Sequence, residues 1–339
     1  MRDDRTAARR RGGGRGRGRP PWTADEIPRQ DGRTAVVTGA STGIGFETAA
    51  ELARRGATVV LACRNPERAA RAAARIRAAA PDASLGVLDV DLESQASVRE
   101  AAARFHDRHG RLDLLVNNAG GVRPRYALTE DGFEATLATN HLGPFALTGL
   151  LLDLMLDVPG SRVVTVGSIG HRRGAIDFDD LHGERRYRFQ AAYFQAKLAN
   201  LLFTYELQRR LAAAGAATIA VAAHPGNART EFGRDMNPVV RAAMSPWARP
   251  LTSWLLQSAY RGALSPLRAA TDPGAAGGDY YGPPGRAQFT GNPVRVESSP
   301  RSHDRDAQAR LWRESERLTG VAYPLPAGSP SRSGEWRGE

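Results

Sequence analysis

The stretch Thr34-Ala-Val-Val-Thr-Gly-Ala-Ser-Thr-Gly-Ile-Gly45 decides the fold of this chain. It opens with a short β-rich run, and glycines follow at Gly39, Gly43 and Gly45. Glycines at such a turn let the backbone pass close to a pyrophosphate, while the first amides of the next helix face the phosphate oxygens. A strand, a glycine-rich turn and a helix in this order predict a dinucleotide-binding unit.

Strand-like and helix-like segments alternate along the rest of the chain. The predicted strands span residues 34–38, 58–62, 84–88, 112–116, 162–167 and 218–223. The predicted helices span residues 43–55, 66–80, 94–109, 129–156 and 191–214. Continuous apolar strands separated by helices are typical of a parallel sheet that is covered on both faces. We therefore predict one doubly wound α/β (Rossmann) domain with about seven strands and helices on both faces.

Composition limits the class of protein. The 339 residues are 41% hydrophobic, which is enough for a sizeable core. The one cysteine, Cys63, excludes an internal disulfide framework and favours a reducing compartment, so we predict a cytoplasmic protein. No stretch approaches the roughly 20 apolar residues of a membrane span, and the basic start is not followed by the apolar region of a signal peptide.

Residues 1–30 carry +5 of the net charge of +11. Residues 1–29 are rich in arginine and glycine, and residues 325–339 in proline, serine, glycine and arginine. Such segments bury little apolar surface, so we predict two disordered tails around a dinucleotide-binding catalytic domain at 30–324. Arg-Gly tracts can bind nucleic acid. We favour a solvated tail, or an extension from an upstream start codon, over a nucleic-acid partner.

Tyr193 and Lys197 lie one helical turn apart and share a face of their predicted helix. Lys197 is the one lysine among 47 lysine and arginine residues. A lysine retained in such a chain indicates a need for a compact ammonium, which can approach a phenol and a sugar hydroxyl together. Taken alone, the pair also fits an ordinary amphipathic helix with a chance lysine.

Further short motifs follow in order. Asn117-Asn-Ala-Gly120 follows the fourth predicted strand, Asn140 lies in the long helix, Ser168 ends the fifth strand, and Pro225-Gly226 follows the sixth. With the Gly-x-x-x-Gly-x-Gly turn and the Tyr-x-x-x-Lys pair, they resemble the short-chain dehydrogenase/reductase family over about residues 30–320. The retinol-dehydrogenase-like and WW-domain-oxidoreductase-like branch is the most similar, on Asp177-Phe-Asp-Asp-Leu, Lys197-Leu-Ala-Asn-Leu-Leu-Phe, His224-Pro-Gly and Tyr280-Tyr-Gly-Pro.

The resemblance implies hydride transfer between a nicotinamide dinucleotide and a carbonyl or alcohol. Tyr193 would be the acid in reduction and the base in oxidation, and Lys197 would lower its pKa and hold the nicotinamide ribose. Ser168 would hydrogen-bond the carbonyl oxygen, and Asn140 would hold a water that links Lys197 to solvent. The alternative is a catalytically silent dinucleotide sensor on the same fold.

The end of the second strand bears on the choice of dinucleotide. It reads Leu61-Ala-Cys63-Arg64-Asn65, without the acid that accepts the ribose hydroxyls of NAD. Arg64 can pair with the phosphate of NADP, so NADP(H) is favoured over NAD(H). Asp91, which the resemblance places beside the adenine, could instead cap the next helix. The predicted cofactor residues are Gly39, Ser41, Thr42, Gly43, Ile44, Gly45, Arg64, Asp91, Leu92, Asn118, Ala119, Gly120, Tyr193, Lys197, Pro225, Gly226 and Thr230.

The expected substrate is a small carbonyl compound or alcohol, with a preference for lipophilic molecules. That preference rests on residues 232–265, interpreted either as a mobile apolar lid or as core, which contain Met236, Met244, Trp247, Trp254 and Leu255. No metal site is predicted, since His141, His171, His182 and His224 lack the spacing of metal ligands. A homo-oligomer is compatible with the sequence.

Overall fold

The first strand of the stretch quoted above, residues 34–38, lies inside a single sheet. The structure is a computed structural model, and it describes residues 21–228, 256–285 and 287–325. The strands are β1 (Thr34–Thr38), β2 (Thr58–Cys63), β3 (Leu85–Asp89), β4 (Leu114–Asn117), β5 (Arg162–Val166), β6 (Ile219–Ala223), β7 (Tyr280–Gly282) and β8 (Val294–Arg295). Their order across the sheet is β3-β2-β1-β4-β5-β6-β7-β8. All neighbours are parallel except β7 and β8.

The helices alternate with these strands along the chain. They are α1 (Gly43–Arg54), α2 (Pro66–Ala79), α3 (Gln95–His106), α4 (Ala135–Leu137), α5 (Gly143–Leu151), α6 (Phe189–Ala213), α7 (Ala259–Thr271) and α8 (Arg305–Thr319). At the N-terminus of several helices, the side chain of the preceding residue accepts a hydrogen bond from a backbone amide, as Asn65 does before α2 and Ser94 before α3. These caps satisfy amides that have no partner within the helix.

Each face of the sheet buries a separate apolar core. On one face, strand residues such as Val37 and Leu61 pack with Leu52 of α1 and Leu267 of α7. On the other face, Val36 and its neighbours pack with large side chains from four helices, namely Phe105, Phe145, Phe203 and Trp312. Successive strand residues point to opposite faces, so a strand buried on both sides reads as a continuous apolar run. The predicted doubly wound α/β fold is therefore confirmed.

The direction of the chain across the sheet changes at β1. The chain passes from β1 to β2 and β3 on one side, then returns to β4 on the other side. In open parallel sheets a crevice forms at the carboxyl ends of the strands at this point, and ligands bind there. The glycine-rich turn after β1 and the Asn117-Asn-Ala-Gly120 segment after β4 meet at this crevice.

Three expectations from the sequence need correction. The packed domain includes residues before 30, because Trp22 and Ile27 are buried in the core around a 3-10 helix at Ala24–Glu26. The end of the range 232–265 follows the interpretation as core and not as lid, since α7 begins at Ala259 and packs on α1. The predicted long helix starts at Ala135 rather than 129 and contains a π-helical turn at Ala138–Leu142.

Other parts of the sequence interpretation fall where the structure gives no description. Residues 1–20, most of the predicted lid, including Met236, Met244, Trp247, Trp254 and Leu255, and residues 326–339 lie outside the described ranges. Among the residues described, no helix combines the length and apolar character needed to cross a membrane. The antiparallel β8 is an addition to the parallel strands that the sequence indicates.

Candidate active site

The glycine turn after β1 has the backbone conformation that its sequence predicts. Gly39 and Gly43 have φ angles of 67° and 59°, a region that side chains other than glycine rarely adopt. A Cβ atom on Gly39 would lie 3.0 Å from the Cα of Ala119, so the turn also approaches the loop after β4 closely. Glycine is thus required here both for the turn and for this contact.

Thr38 and Asn118 hold the two loops together. Thr38 Oγ1 accepts hydrogen bonds from the backbone amides of Asn118 and Ala119, at 3.0 and 2.9 Å. The side-chain amide of Asn118 donates in return to the carbonyl of Thr38, at 2.8 Å. These bonds lie partly or fully out of water, where satisfied polar networks fix the positions of their members. The two loops together therefore form the floor of the crevice.

A cleft of about 770 Å³ extends from this floor across the carboxyl ends of β1, β2, β4, β5 and β6. Every predicted cofactor residue in the described ranges lines it, and Thr230 lies outside those ranges. The residues fit a dinucleotide, because Gly39, Gly43 and Gly45 line the cleft at the start of α1, where backbone amides can face a pyrophosphate. The cleft continues past Ser168 to Tyr193 and Lys197, so a nucleotide site and a chemical site are contiguous.

Ser168 and Tyr193 are joined by a side-chain hydrogen bond. Ser168 follows β5 in an extended conformation, and its Oγ accepts a bond from the amide of Gly170 at 3.1 Å. The hydroxyl thus serves both as a cap for the turn of Ile169–Arg173 and as a partner of the phenol. A local structural role of Ser168 is therefore compatible with its predicted role in the site.

Burial controls the ionisation of the Tyr193 phenol. It raises the pKa of Tyr193 above its ordinary value, and the hydrogen bond with Ser168 acts in the opposite direction. The pKa of Tyr193 is raised overall, so burial outweighs the lowering that was expected from Lys197. The ammonium lies 5.8 Å from the centre of the Tyr193 ring, and the larger effect on the phenol is the loss of water around it.

Lys197 is buried despite its charge, with 5% of its surface exposed. Its Nζ donates a hydrogen bond to the carbonyl of Val166 at the end of β5, at 3.1 Å. Burial lowers the pKa of Lys197 to about 8. A buried lysine whose pKa lies close to neutral pH is uncommon outside functional sites, because burying its charged form is costly unless other groups compensate for it.

Asn140 occupies the π-helical turn between α4 and α5. Its side-chain amide donates to the carbonyls of Gly121 and Thr136, at 2.7 and 2.8 Å. Its Oδ1 is buried and has no hydrogen-bond partner among the described residues. A Cβ atom on Gly120 would lie 2.5 Å from this Oδ1 and 3.1 Å from Lys197 Nζ, so both polar atoms face the same point of the backbone.

The far end of the cleft contains Glu93, a charged residue that the sequence interpretation did not assign. Glu93 forms ion pairs with Arg64, at 3.5 Å, and with Arg123. Arg64 also lies 4.0 Å from Asp91, which the sequence interpretation had alternatively placed as a helix cap. The cap of α3 is Ser94 instead, whose Oγ accepts from the amide of Ser97 at 3.3 Å. The sequence could have indicated Glu93, because this acid lies only two positions after the predicted cofactor residue Asp91.

His171 connects the site to a distant part of the chain. Its Nδ1 lies 2.6 Å from the carbonyl of Ser168, and its Nε2 accepts from the amide of Ser299 at 3.0 Å. Burial lowers the pKa of His171 to about 4 and that of His224 to about 3. His171 is therefore neutral at physiological pH and helps to position the backbone at Ser168.

Comparisons with known proteins agree with this geometry. The short chain dehydrogenase family matches residues 33–240. The chain is 41% identical over 297 residues to human retinol dehydrogenase 13, with 86% of each protein covered. A crystal structure of an uncharacterized protein from Mycobacterium paratuberculosis shares 41% identity and a TM-score of 0.73, covering 90% of this chain and all of that one. A Burkholderia cenocepacia short chain dehydrogenase in complex with NADP shares 27% identity and a TM-score of 0.57, over 74% and 96%.

The match covers most of the chain and includes the glycine turn, the loop after β4 and the Tyr193 helix. Its level of identity to retinol dehydrogenases is well above that needed to establish kinship. The chain belongs to the short-chain dehydrogenase family, in its retinol-dehydrogenase-like branch, and is an NAD(P)-dependent oxidoreductase of alcohols and carbonyl compounds.

Proposed function

We propose that this protein is an NADP(H)-dependent oxidoreductase of lipophilic carbonyl compounds or alcohols, with Tyr193 as the acid/base group. The observation that carries the proposal is the hydrogen bond between Ser168 and Tyr193 in the cleft that begins at the glycine turn. Lys197 lies one helical turn further along α6 and lines the same cleft. Hydride transfer to a carbonyl needs such a proton donor at the oxygen.

The nicotinamide of the bound dinucleotide supplies the hydride, or accepts it. Tyr193 donates its phenolic proton to the carbonyl oxygen in reduction and takes it from the alcohol in oxidation. Ser168 donates a hydrogen bond to the same oxygen and stabilises the charge that develops there. Because burial raises the pKa of Tyr193, the phenol holds its proton before reduction. The positive charge of Lys197 stabilises the phenolate that remains afterwards.

Asn140 has a positioning role in this proposal. Its amide group is fixed by the carbonyls of Gly121 and Thr136, so its unpartnered Oδ1 is held close to Gly120. A water bound at this oxygen would carry protons between Lys197 and solvent. The π-helical turn supports this role, because such turns redirect a side chain from a helix and are frequent at functional sites.

Two observations support NADP(H) as the cofactor. The end of β2 bears Arg64 in the cleft and has no acid to accept the ribose hydroxyls. The Burkholderia relative was crystallised with NADP. The lipophilic substrate class is supported by the name of the human relative, a retinol dehydrogenase, and by apolar cleft residues such as Val122, Phe194 and Leu256.

The test combines cofactor binding with turnover. Nicotinamide fluorescence measures the dissociation constants of NADPH and NADH, and NADPH oxidation is then followed with retinal and a series of aliphatic ketones. Tyr193→Phe should abolish turnover while the NADPH dissociation constant stays close to that of the wild type. Tyr260→Phe, which removes the hydroxyl of an exposed tyrosine, should behave as the wild type.

The outcomes separate the two hypotheses for this fold. Substantial turnover by Tyr193→Phe would contradict the assignment of the acid/base group. Tight NADPH binding by the wild type with no turnover on any substrate would favour the catalytically silent sensor. Tighter binding of NADH than of NADPH would contradict the cofactor assignment and leave the oxidoreductase assignment intact.

A further inference from the structure

The carboxylate of Glu93 lies at the end of the cleft where the proposed function places the adenosine part of the cofactor. We propose that Glu93 is a specificity-determining residue that weakens NADP(H) binding by acting as an internal counter-ion of Arg64. The proposal rests on the assignment of Arg64 to the phosphate of NADP.

The contacts of Glu93 show how its carboxylate is held. It accepts a hydrogen bond from Thr139 Oγ1 at 3.0 Å and forms ion pairs with Arg64, at 3.5 Å, and with Arg123. Glu93 is less exposed than either arginine, because its side chain retains 21% exposure against 59% for Arg64 and 41% for Arg123. The acid is therefore the fixed member of the cluster, and Arg64 is the member that reaches solvent and ligand.

The four charges of this ion-pair cluster cancel one another. Arg64 and Arg123 carry two positive charges, and Asp91 and Glu93 carry two negative ones. The 2′-phosphate of NADP brings about two further negative charges at neutral pH. To pair with it, Arg64 must share its guanidinium with Glu93 or leave it, and the phosphate must approach an acid. Both effects reduce the affinity that Arg64 would otherwise give.

NADH provides an internal comparison, since it has hydroxyls where NADPH has the phosphate. Neutralising Glu93 should therefore tighten NADPH binding and leave NADH binding nearly unchanged. Glutamine preserves the size of the side chain and an acceptor for Thr139 Oγ1. The substitution Glu93→Gln therefore removes the charge of Glu93 and keeps its contact with Thr139.

The experiment measures the dissociation constants of NADPH and NADH for the wild type and for Glu93→Gln, Arg64→Gln and the double variant. Exposed ion pairs contribute up to about 1 kcal/mol, so Glu93→Gln should tighten NADPH binding about two- to fivefold at low ionic strength. The gain should shrink at about 1 M salt, where charges at the surface are screened. In the Arg64→Gln background, Glu93→Gln should have little effect on NADPH binding, because the interaction that it removes is already absent.

Glu130→Gln is the matched control. Glu130 accepts a hydrogen bond from Ser94, in the same loop as Glu93, so this variant removes an equal charge beside a different partner. Its NADPH affinity should match that of the wild type. Thermal unfolding without ligand shows that each variant is folded.

The proposal is overturned if Glu93→Gln leaves NADPH affinity unchanged, or changes NADPH and NADH affinity equally, while Arg64→Gln weakens NADPH binding. In that case the proposed function still stands. If neither dinucleotide binds to the wild type, the proposed function itself fails and the role of Glu93 fails with it.

Discussion

Replacing Gly120 by alanine tests whether Asn140 and Lys197 act at the positions that the structure gives them. The added Cβ atom would lie 2.5 Å from Asn140 Oδ1 and 3.1 Å from Lys197 Nζ. Gly120 is not among the glycines with positive φ, so alanine can adopt its backbone conformation. The substitution therefore acts through this steric contact alone.

The size of the effect follows from the displacement. Ordinary contact requires about 3.4 Å, so Asn140 Oδ1 must move from 2.5 Å by roughly 0.9 Å. Its amide is fixed by the carbonyls of Gly121 and Thr136, and Lys197 is held by Val166, so neither neighbour can withdraw freely. A misplacement of about 1 Å near reacting groups can cost roughly 10²-fold in rate. Extra volume in a packed site costs about 1–3 kcal/mol of stability.

The neighbouring glycine offers a matched control. A Cβ atom on Gly121 would meet no atom within 4 Å, and its carbonyl would still accept from Asn140. We expect Gly120→Ala to lose about 10²-fold in kcat, and Gly121→Ala to retain the activity of the wild type. Steady-state kinetics with saturating NADPH, together with urea unfolding, measures both effects. Wild-type activity of Gly120→Ala would refute the roles of Asn140 and Lys197 argued above.

Two further predictions concern buried basic groups. The free energy of unfolding should fall as the pH decreases from 6.5 towards 5, because burial holds the pKa values of three histidines below their ordinary value of 6.5, namely at about 3 for His141, about 4 for His171 and about 3 for His224. In this pH range the unfolded chain binds more protons than the folded one, so each histidine lowers the free energy of unfolding by up to about 1.4 kcal/mol per pH unit. Equal stability at pH 7 and pH 5, measured by urea unfolding, would contradict this prediction. Lys197→Arg should lose activity although the charge is kept, because a guanidinium is larger and presents five donors at a site built for a compact ammonium. Turnover of that variant at the rate of the wild type, measured as NADPH oxidation, would show that any cation suffices there.

The fold could be predicted because its information is local. The run at β1 and the glycine turn after it specify a strand, a turn and a helix within twelve residues, and the structure contains all three. Strands β2 to β6 were also predicted to within a few residues at each end, whereas β7 was not located. The two-residue β8 could not be predicted, since Val294 is 38% exposed and the pairing of this strand depends on where β7 ends.

The site was predictable in its residue types and less so in its electrostatics. Sequence motifs place Ser168, Tyr193 and Lys197 after or beside one sheet edge, and the structure brings all three into one cleft. The pKa of Tyr193 depends on how much water its neighbours exclude, and no motif encodes that quantity. The cytoplasmic location and the oligomeric state stay predictions.

Residues missed by the sequence interpretation act through long-range contacts. Trp22 is buried, and its backbone carbonyl accepts a hydrogen bond at 3.1 Å from the side chain of Asn292, which lies 270 positions away in the sequence. His171 likewise depends on the amide of Ser299, and Glu93 on Arg123. Such pairs share no spacing along the chain, so a single sequence gives no reason to join them.

The single lysine of the chain can now be interpreted physically. Surface cations in this protein are arginines, which form ion pairs through their planar forks, as Arg123 does with Glu93. Lys197 instead lies at a buried point where its Nζ donates to one carbonyl and faces Gly120 beside the Oδ1 of Asn140. A guanidinium there would bury several donors without acceptors, and each unsatisfied donor is costly. The retained lysine is therefore explained by burial and by the small number of acceptors around it, and both features belong to the site in which Tyr193 lies.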